Sequence, residues 1–282
     1  MGDDDLCHQP HARRILGRPR LQLVQRVMMA DAATQEVGCA IAVMAKAPRP
    51  GQVKTRLVPP LTPDMASALN ASFLRDITEN IRLAALDAAI EAYIAYAPAG
   101  FEPLFDDMLA HGTRLMLADG ARVSDPRVRG FGRCLLEAAQ SLFDRGHGAV
   151  CLLNSDSPTL PTSLLAQAAR ALAAEGDRVV LGPAEDGGYY LIGMKALHIH
   201  LFEDIDWSTS RVAEQTRQRI RALGLSVAEL DPWYDVDDAA ALARLCRDLA
   251  PEARVGGLAP YPAPATARCI EQLFIHDRLS AA

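Results

Sequence analysis

Near its N-terminal end the chain reads Ala40-Ile-Ala-Val-Met-Ala-Lys46-Ala-Pro48-Arg-Pro50-Gly51-Gln-Val-Lys54-Thr55-Arg56-Leu57. The apolar run that opens this stretch contains β-branched residues and predicts a buried strand. Pro48, Pro50 and Gly51 predict a stiff turn directly after the strand. The stretch therefore predicts a strand that leads into a loop at the edge of a sheet.

The same loop carries the cations Lys46, Lys54 and Arg56. Gly51 allows a close approach of the backbone, and Lys and Arg side chains neutralise phosphate oxygens. We expect a phosphate-binding loop formed by Lys46, Gly51, Lys54, Thr55 and Arg56, in which Lys54 also takes part in catalysis. The alternative is an ordinary solvated turn between a strand and a helix.

The spacing of the loop argues against a P-loop ATPase. A Walker A loop needs a glycine directly before its lysine and another glycine five residues earlier. Val53 precedes Lys54, and Lys46 stands five residues before Gly51.

Composition limits the classes of partner. The chain has 282 residues, of which 50% are apolar, and a formal charge of -6. An acidic protein is not expected to bind nucleic acid broadly, so a local basic loop suits a small phosphorylated ligand. The length allows one large α/β domain or two small ones.

The cysteines and the hydropathy pattern indicate a cytoplasmic protein. The six cysteines are scattered without a C-x-x-C pair, so we interpret them as small core residues in a reducing compartment. No apolar stretch is long enough to span a bilayer, and the N-terminus lacks the apolar region of a signal peptide.

Strand-like and helix-like segments alternate from residue 38 onward. Strands are predicted near 39–45, 89–96, 113–118, 148–153, 178–182, 189–194 and 226–230. Helices are predicted from Thr62 onward and near 101–110, 131–145, 161–174, 209–223 and 237–249. This alternation predicts an α/β domain with a mostly parallel sheet and helices on both faces, where ligands bind at the carboxyl ends of strands.

Three segments are expected. Residues 1–36 are interpreted as a mobile arm or as upstream sequence, and residues 37–250 as the α/β domain. Residues 251–282 are interpreted as a tail that carries a short helix around 269–279.

Three groups of carboxylates follow predicted strands. Asp156 comes after the run 148–153 and suits Mg²⁺ (or Mn²⁺), because Mg²⁺ takes few protein carboxylates and leaves positions to water and phosphate. The alternative for Asp156 is a cap on the following turn.

The Glu185-Asp186-Gly187-Gly188 segment is either a ligand-binding loop or a plain β-turn, and the neighbouring Tyr189 could stack on a base or sugar. Asp237 is either a second metal ligand or, with Asp235 and Asp238, a helix cap.

Taken in order, five motifs resemble those of the radical-SAM/selenodomain-associated transferases. They are K-A-P-R-P-G-Q-V-K-T-R-L, S-D-S-P-T-L-P, G-P-A-E-D-G-G-Y-Y-L-I-G, D-W-S-T-S and D-V-D-D. The K-T-R-L element also looks like that of the phospholactate guanylyltransferases, and the Asp-x-Pro element like that of the molybdenum-cofactor guanylyltransferases. This resemblance implies a single GT-A-like, Rossmann-like domain of the nucleotide-diphospho-sugar transferase superfamily.

The resemblance also implies roles for particular residues. Asp156 and Asp237 would be the two ligands of the metal ion, and Lys46, Lys54 and Arg56 would contact nucleotide phosphates. A pocket for the acceptor or sugar would be lined by Asp186, Gly187, Gly188 and Tyr189, with Asp186 acting in catalysis. Two positions depart from the family pattern: Arg133 is displaced by one place in a Leu-Gly-x-Arg motif, and Asn154 stands where the family commonly has glycine.

These features predict a Mg²⁺-dependent transferase that uses a nucleotide and a small-molecule acceptor. Transfer of a nucleotidyl group from an NTP to a small phosphorylated acceptor is the first interpretation. The alternatives are glycosyl transfer from an NDP-sugar and a non-catalytic nucleotide-binding module. The sequence does not identify the base, the sugar, the acceptor or the oligomeric state.

Overall fold

The protein is described by a computed structural model that covers residues 38–280. The expected N-terminal arm at 1–36 lies outside the described residues. Residues 38–280 form a single α/β domain with a seven-stranded sheet, as the alternating pattern predicts. No helix in this described part of the chain combines the length and the apolar character that crossing a membrane requires.

The seven strands lie where they were predicted. They are β1 (Cys39–Lys46), β2 (Ile90–Ala97), β3 (Arg114–Leu117), β4 (Ala149–Leu153), β5 (Arg178–Pro183), β6 (Tyr189–Met194) and β7 (Ser226–Glu229). The α-helices are α1 (Pro63–Ala84), α2 (Phe131–Asp144), α3 (Thr162–Ala173), α4 (Val212–Ala222), α5 (Ala239–Asp248) and α6 (Pro264–Ser280).

The prediction of a helix over 101–110 is wrong. The segment contains only a four-residue 3-10 helix, Glu102–Phe105. Asp107 adopts a left-handed conformation with φ of 61°, which cannot continue a right-handed helix. Phe105 is buried against the core, so the apolar residue that suggested a helical face anchors a single turn instead.

The strands are arranged in the order β3-β2-β1-β4-β6-β5-β7. β6 runs antiparallel to its neighbours β4 and β5, whereas the remaining neighbouring pairs are parallel. The carboxyl ends of the six co-directional strands therefore meet at one edge. The tight connection between β5 and β6 turns at that same edge.

Two apolar cores cover the two faces of the sheet. Along β1, Ile41 and Val43 pack into the core under α1 and α3, and Ala40 and Ala42 pack into the core under α2. Alternation along a strand produces this division because successive side chains point to opposite faces. Helices thus lie on both faces, and the edges of the sheet remain available for a site.

The helix α1 begins as its sequence predicts. The side chain of Thr62 accepts a hydrogen bond from the Met65 backbone N–H at 3.2 Å, and Pro63 occupies the first helical position. Leu69, Phe73 and Ile77 recur at helical spacing and are buried against the sheet. This packing fixes the helix under the loop that follows β1.

The helix α6 packs on α1 and starts earlier than the short helix expected around 269–279. Asp76 of α1 is 1% exposed and accepts hydrogen bonds from the backbone N–H groups of Ala265 and Thr266, at 3.0 and 2.6 Å. These N–H groups belong to the first turn of α6 and have no partner within that helix. A buried carboxylate of one helix therefore caps another helix.

Candidate active site

The loop after β1 is folded so that one lysine points inward. Gly51 has φ of 72°, and Lys54 adopts a left-handed conformation with φ of 48° and ψ of 37°. Val53 and Leu57 are buried on either side of Lys54. A left-handed lysine is strained, and such strain persists where surrounding contacts hold the residue in place. The two apolar anchors fix the loop and direct Lys54 toward the sheet edge.

The side chain of Lys54 is only 4% exposed and reaches two carboxylates. Its ammonium forms an ion pair with Asp156, lies 3.4 Å from Asp237 Oδ1 and donates a hydrogen bond to the Val236 carbonyl oxygen at 2.8 Å. A buried ammonium requires such partners because its desolvation is costly. Lys54 thus joins three distant parts of the chain.

Asp156 is delivered by β4, which ends three residues earlier. Its backbone is fixed on both sides: the Asn154 N–H donates to the Tyr190 carbonyl at 2.8 Å, and the Val236 N–H donates to the Asp156 carbonyl at 2.8 Å. The Asp156 side chain remains 32% exposed. The carboxylate is therefore rigidly placed and still accessible to a ligand.

Asp237 and Asp238 have different roles, which the sequence left open. Asp238 is the N-cap of α5, and its side chain accepts a hydrogen bond from the Ala241 N–H at 2.8 Å. Asp237 makes no cap and lies near two cations, 3.4 Å from Lys54 and 3.8 Å from Arg56. The helix end is thus satisfied without Asp237.

Asp235 is a site residue that sequence analysis treated only as a helix cap. Its Oδ1 accepts hydrogen bonds from Asn154 Nδ2 at 2.6 Å and from Ser157 Oγ at 2.7 Å. Burial raises the pKa of Asp235 to about 7; the hydrogen bond from Ser157 opposes this rise, and nearby carboxylates, above all Asp156, add to it. The sequence does carry one indication of this role: Asn154 stands where the family commonly has glycine, and its amide donates to Asp235.

These residues line a cavity of about 440 Å³ at the carboxyl edge of the sheet. Its charged part contains Lys46, Lys54, Thr55, Arg56, Asp156, Asp235 and Asp237. The lining also includes the apolar residues Ala95, Ala97, Ala118, Phe131 and Cys134. The cavity can therefore receive a molecule that carries both a charged group and an apolar group.

Aromatic side chains form one wall. Phe131 is 47% exposed, and its ring meets the edge of Trp207 with centroids 5.9 Å apart. Tyr189 also lines the cavity, and its ring lies edge-on to Trp207 with centroids 6.4 Å apart. A side chain at Gly132 would come within 2.7 Å of Trp207, so this glycine is required for the packing. The wall is thereby held in a fixed orientation.

The loop between β5 and β6 is fixed but lies beside the cavity. Asp186 Oδ1 accepts a hydrogen bond from the Gly188 N–H at 2.8 Å, and a Cβ at Gly187 would overlap the Ser210 carbonyl. Among the residues predicted for the acceptor pocket, Tyr189 lines the cavity, whereas Asp186, Gly187 and Gly188 do not.

Three other predicted or noted residues lie away from the cavity. Gly51 shapes the basic loop without lining the cavity. Arg133, the displaced arginine of the family pattern, donates from Nε to the Gly120 carbonyl at 3.0 Å. Glu185, which precedes Asp186, pairs with Arg244 of α5 at 2.5 and 3.0 Å. These contacts support the surrounding elements.

The carboxylates fit a hard divalent cation that is also held by a substrate. A single ammonium, that of Lys54, contacts both Asp156 and Asp237, so their oxygens converge on one cation. Within residues 38–280, no three His, Cys, Asp or Glu side chains are arranged to hold a metal ion. Two carboxylates suit Mg²⁺, which keeps several waters and binds substrate phosphates.

A family model described as "Uncharacterized protein conserved in bacteria (DUF2064)" matches residues 80–209. The matched range includes Asp156 and Asp186 and leaves out Lys54 and Asp237. No curated protein matches the chain in sequence.

Solved structures match a larger part of the chain than the family model does. A Desulfovibrio desulfuricans G20 protein, provisionally classed as a nucleotide-diphospho-sugar transferase, is 27% identical; the match covers 83% of this chain and 94% of that one, with a TM-score of 0.67. A cytidylyltransferase from Leptospira borgpetersenii serovar Hardjo-bovis is 10% identical over 86% and 95% of the two chains, with a TM-score of 0.47. The likeness to the Desulfovibrio protein shows that this chain has the fold of the nucleotide-diphospho-sugar transferases, as its motif order implied.

Proposed function

We propose that this protein is a nucleotide-using transferase that depends on a divalent cation and transfers a nucleotidyl group from an NTP to a small phosphorylated acceptor. The observation that carries the proposal is the meeting of Lys54, Asp156 and Asp237 in one cavity. They come from three separate segments at the carboxyl edge of the sheet: Lys54 follows β1, Asp156 follows β4 and Asp237 follows β7. In open α/β sheets this edge is where ligands bind.

The charged part of the cavity supplies the groups that phosphoryl chemistry needs. Lys46, Lys54 and Arg56 would neutralise the oxygens of the nucleotide phosphates. Asp156 and Asp237 would hold Mg²⁺ or Mn²⁺, which when bound stabilises negative charge on the phosphates and the leaving group. Catalysis would consist mainly of positioning and charge stabilisation.

The proposed reaction exchanges one phosphoanhydride bond for another. An oxygen of the acceptor phosphate attacks the α-phosphorus of the NTP, and the bond from the α-phosphorus to the bridging oxygen breaks. Pyrophosphate leaves with the electron pair. An acceptor phosphate is already ionised at neutral pH, so the attack needs no strong general base. Asp186 and Tyr189 are proposed to position the acceptor, Asp186 from the loop beside the cavity.

Glycosyl transfer from an NDP-sugar is the second candidate, and the likeness to the Desulfovibrio protein favours it. Here an acceptor attacks the anomeric carbon and an NDP leaves. The same cations would stabilise the leaving diphosphate. The two reactions thus share the charged part of the cavity and differ in the released product.

The product distinguishes the candidates. The full chain is incubated with Mg²⁺ and each common NTP together with a mixture of sugar 1-phosphates and other phosphorylated acceptors, and separately with NDP-sugars and hydroxyl acceptors. Release of pyrophosphate supports nucleotidyl transfer, and release of an NDP supports glycosyl transfer. Asp156→Asn and addition of EDTA should each abolish release. A chain that binds nucleotides and releases neither product would be a binding module, contrary to the proposal.

A further inference from the structure

The ammonium of Lys54 has no hydrogen-bond donor left for a phosphate. An ammonium carries three N–H groups. Lys54 has three contacts inside the protein, with the Asp156 carboxylate, the Asp237 carboxylate at 3.4 Å and the Val236 carbonyl at 2.8 Å. To contact a nucleotide phosphate, Lys54 must therefore give up at least one of these partners.

The position of Lys54 also conflicts with a bound divalent cation. Its ammonium contacts both carboxylates that would hold the metal. A divalent cation bound to the same Asp156 and Asp237 oxygens would lie close to the Lys54 ammonium, and the repulsion between the two positive charges would weaken its binding. With Lys54 in this position, its ammonium already balances one of the two negative charges of the carboxylate pair.

The backbone at Lys54 indicates that this arrangement depends on its ion pairs. Lys54 is left-handed, and that conformation is unfavourable for a residue with a side chain. The contacts of the buried ammonium help to maintain it. When the carboxylates lose their hold on Lys54, this support for the left-handed conformation is lost with them.

We propose that Lys54 makes binding of the divalent cation conditional on binding of the nucleotide. In the nucleotide-free protein, Lys54 takes the place of the cation between Asp156 and Asp237. Nucleotide phosphates attract Lys54 away from the carboxylates, which then accept the metal ion together with phosphate oxygens. This inference rests on the proposed function, since it requires a phosphate ligand in the same cavity.

Mn²⁺ binding to the nucleotide-free full chain tests the inference, with the electron paramagnetic resonance signal of free Mn²⁺ as the readout. Wild type should bind Mn²⁺ weakly, and Lys54→Met should bind it more tightly by about tenfold or more. The double variant Lys54→Met/Asp237→Asn should lose this gain. Lys46→Met is the matched control: it removes the other lysine of the cavity, which pairs with neither carboxylate, and should gain little.

Two results would overturn the inference. The first is an equal Mn²⁺ affinity of nucleotide-free wild type and Lys54→Met. The second is an equal gain in Lys46→Met, which would indicate a general effect of charge in the cavity. Circular dichroism checks that each variant is folded, and Lys54→Gln replaces Lys54→Met if the latter is not.

Wild type alone supplies a second measurement. The NTP that binds best should raise Mn²⁺ affinity, and Mn²⁺ should raise NTP affinity by the same factor, because coupling between two sites is reciprocal. A wild type whose Asp237-dependent Mn²⁺ affinity is unchanged by nucleotide contradicts the inference. Its failure is separate from that of the proposed function: a protein that releases product but shows no gain in Lys54→Met remains a transferase. If the protein releases no product, the Mn²⁺ affinities of nucleotide-free wild type and Lys54→Met still test the inference.

Discussion

Neighbouring aspartates in this protein differ sharply in what they contact. Asp235 is held by Asn154 and Ser157, Asp237 lies beside Lys54 and Arg56, and Asp238 caps α5. In an extended segment successive residues point to opposite sides and residues two apart point to the same side. Accordingly, Asp235 and Asp237 both line the cavity, whereas Asp238 does not. The cap is made by Asp238, which leaves Asp237 available for the proposed metal role.

We predict that Asp156→Asn and Asp237→Asn each remove metal-dependent activity and unfold the protein little. The double variant should be no worse than either single variant, because loss of one ligand already disables a shared ion. Activity and melting temperature are measured against Mg²⁺ concentration.

Asp238→Ala is the matched control for this pair. It removes a cap hydrogen bond and should cost about 1 kcal/mol of stability while the response to Mg²⁺ is retained. A stable, normally Mg²⁺-responsive Asp156→Asn protein would contradict the assignment of the carboxylates.

A second prediction concerns Gly187. Gly187→Ala places a Cβ against the Ser210 backbone carbonyl at a residue with φ of 91°. We expect a loss of about 2–4 kcal/mol, from the left-handed conformation and the clash together. Gly224→Ala is the control, because φ is 68° there and nothing lies within 4 Å of the added carbon. Urea unfolding measures the free energy of unfolding of both variants. Equal losses would show that the contact with the Ser210 carbonyl does not contribute.

Cavity residues that are held by partners far away along the chain cannot be predicted from the sequence. Cavity residues that follow a strand end can. Lys54, Asp156 and Asp237 were predicted in this way, and they meet in the cavity. The local sequence predicts a helix cap for Asp235, because its partner Asn154 is 81 residues away along the chain. Burial and hydrogen bonding of a single carboxylate are tertiary properties that local sequence does not carry.

Among the elements, strands and long helices follow from apolar periodicity because the period itself determines which face is buried. The exception at 101–110 shows the limit of this argument. That segment forms only the 3-10 turn Glu102–Phe105, and Asp107, with φ of 61°, cannot continue a right-handed helix. Capping between elements, such as that of α6 by Asp76, is equally invisible to a local pattern.

The contact between α1 and α6 leads to a prediction. Asp76→Ala leaves the N–H groups of Ala265 and Thr266 without their acceptor in a buried position. The cost should be about 1–3 kcal/mol, and amide hydrogen exchange should increase first in α6. Asp76→Asn should recover part of the loss, since its amide oxygen can accept one of the bonds. Unchanged exchange in α6 of Asp76→Ala would show that this cap does not hold the helix.

At the scale of the whole molecule, the α/β class and the edge that carries the site could be predicted, whereas the strand order could not. The position of β6 between β4 and β5, and its reversed direction, depend on pairings that no local period encodes. The reversal matters for the site because it brings the loop with Asp186 to the carboxyl edge. Fold class therefore came from the sequence and topology from the structure.

Binding of a ligand should stabilise the domain as a unit. An NTP with Mg²⁺ at a hundred times its dissociation constant should add about 2.7 kcal/mol, which raises the melting temperature by about 5–10 °C in a domain of this size. Either component alone should give a smaller shift. A panel of NTPs and NDP-sugars, with and without Mg²⁺, measures this by thermal shift. A shift in Asp156→Asn as large as in wild type would contradict binding at this cavity.

The short connection between β5 and β6 has a further consequence for how the chain folds. Among the described strands, this hairpin closes the smallest loop, and loops with close ends lose the least entropy and form within microseconds. The contact of Lys54 with Asp237 instead joins residues 183 positions apart. Contacts of such long range form late. A partly folded chain therefore forms this hairpin before its candidate site, and during synthesis Lys54 can meet Asp237 only after residue 237 has left the ribosome.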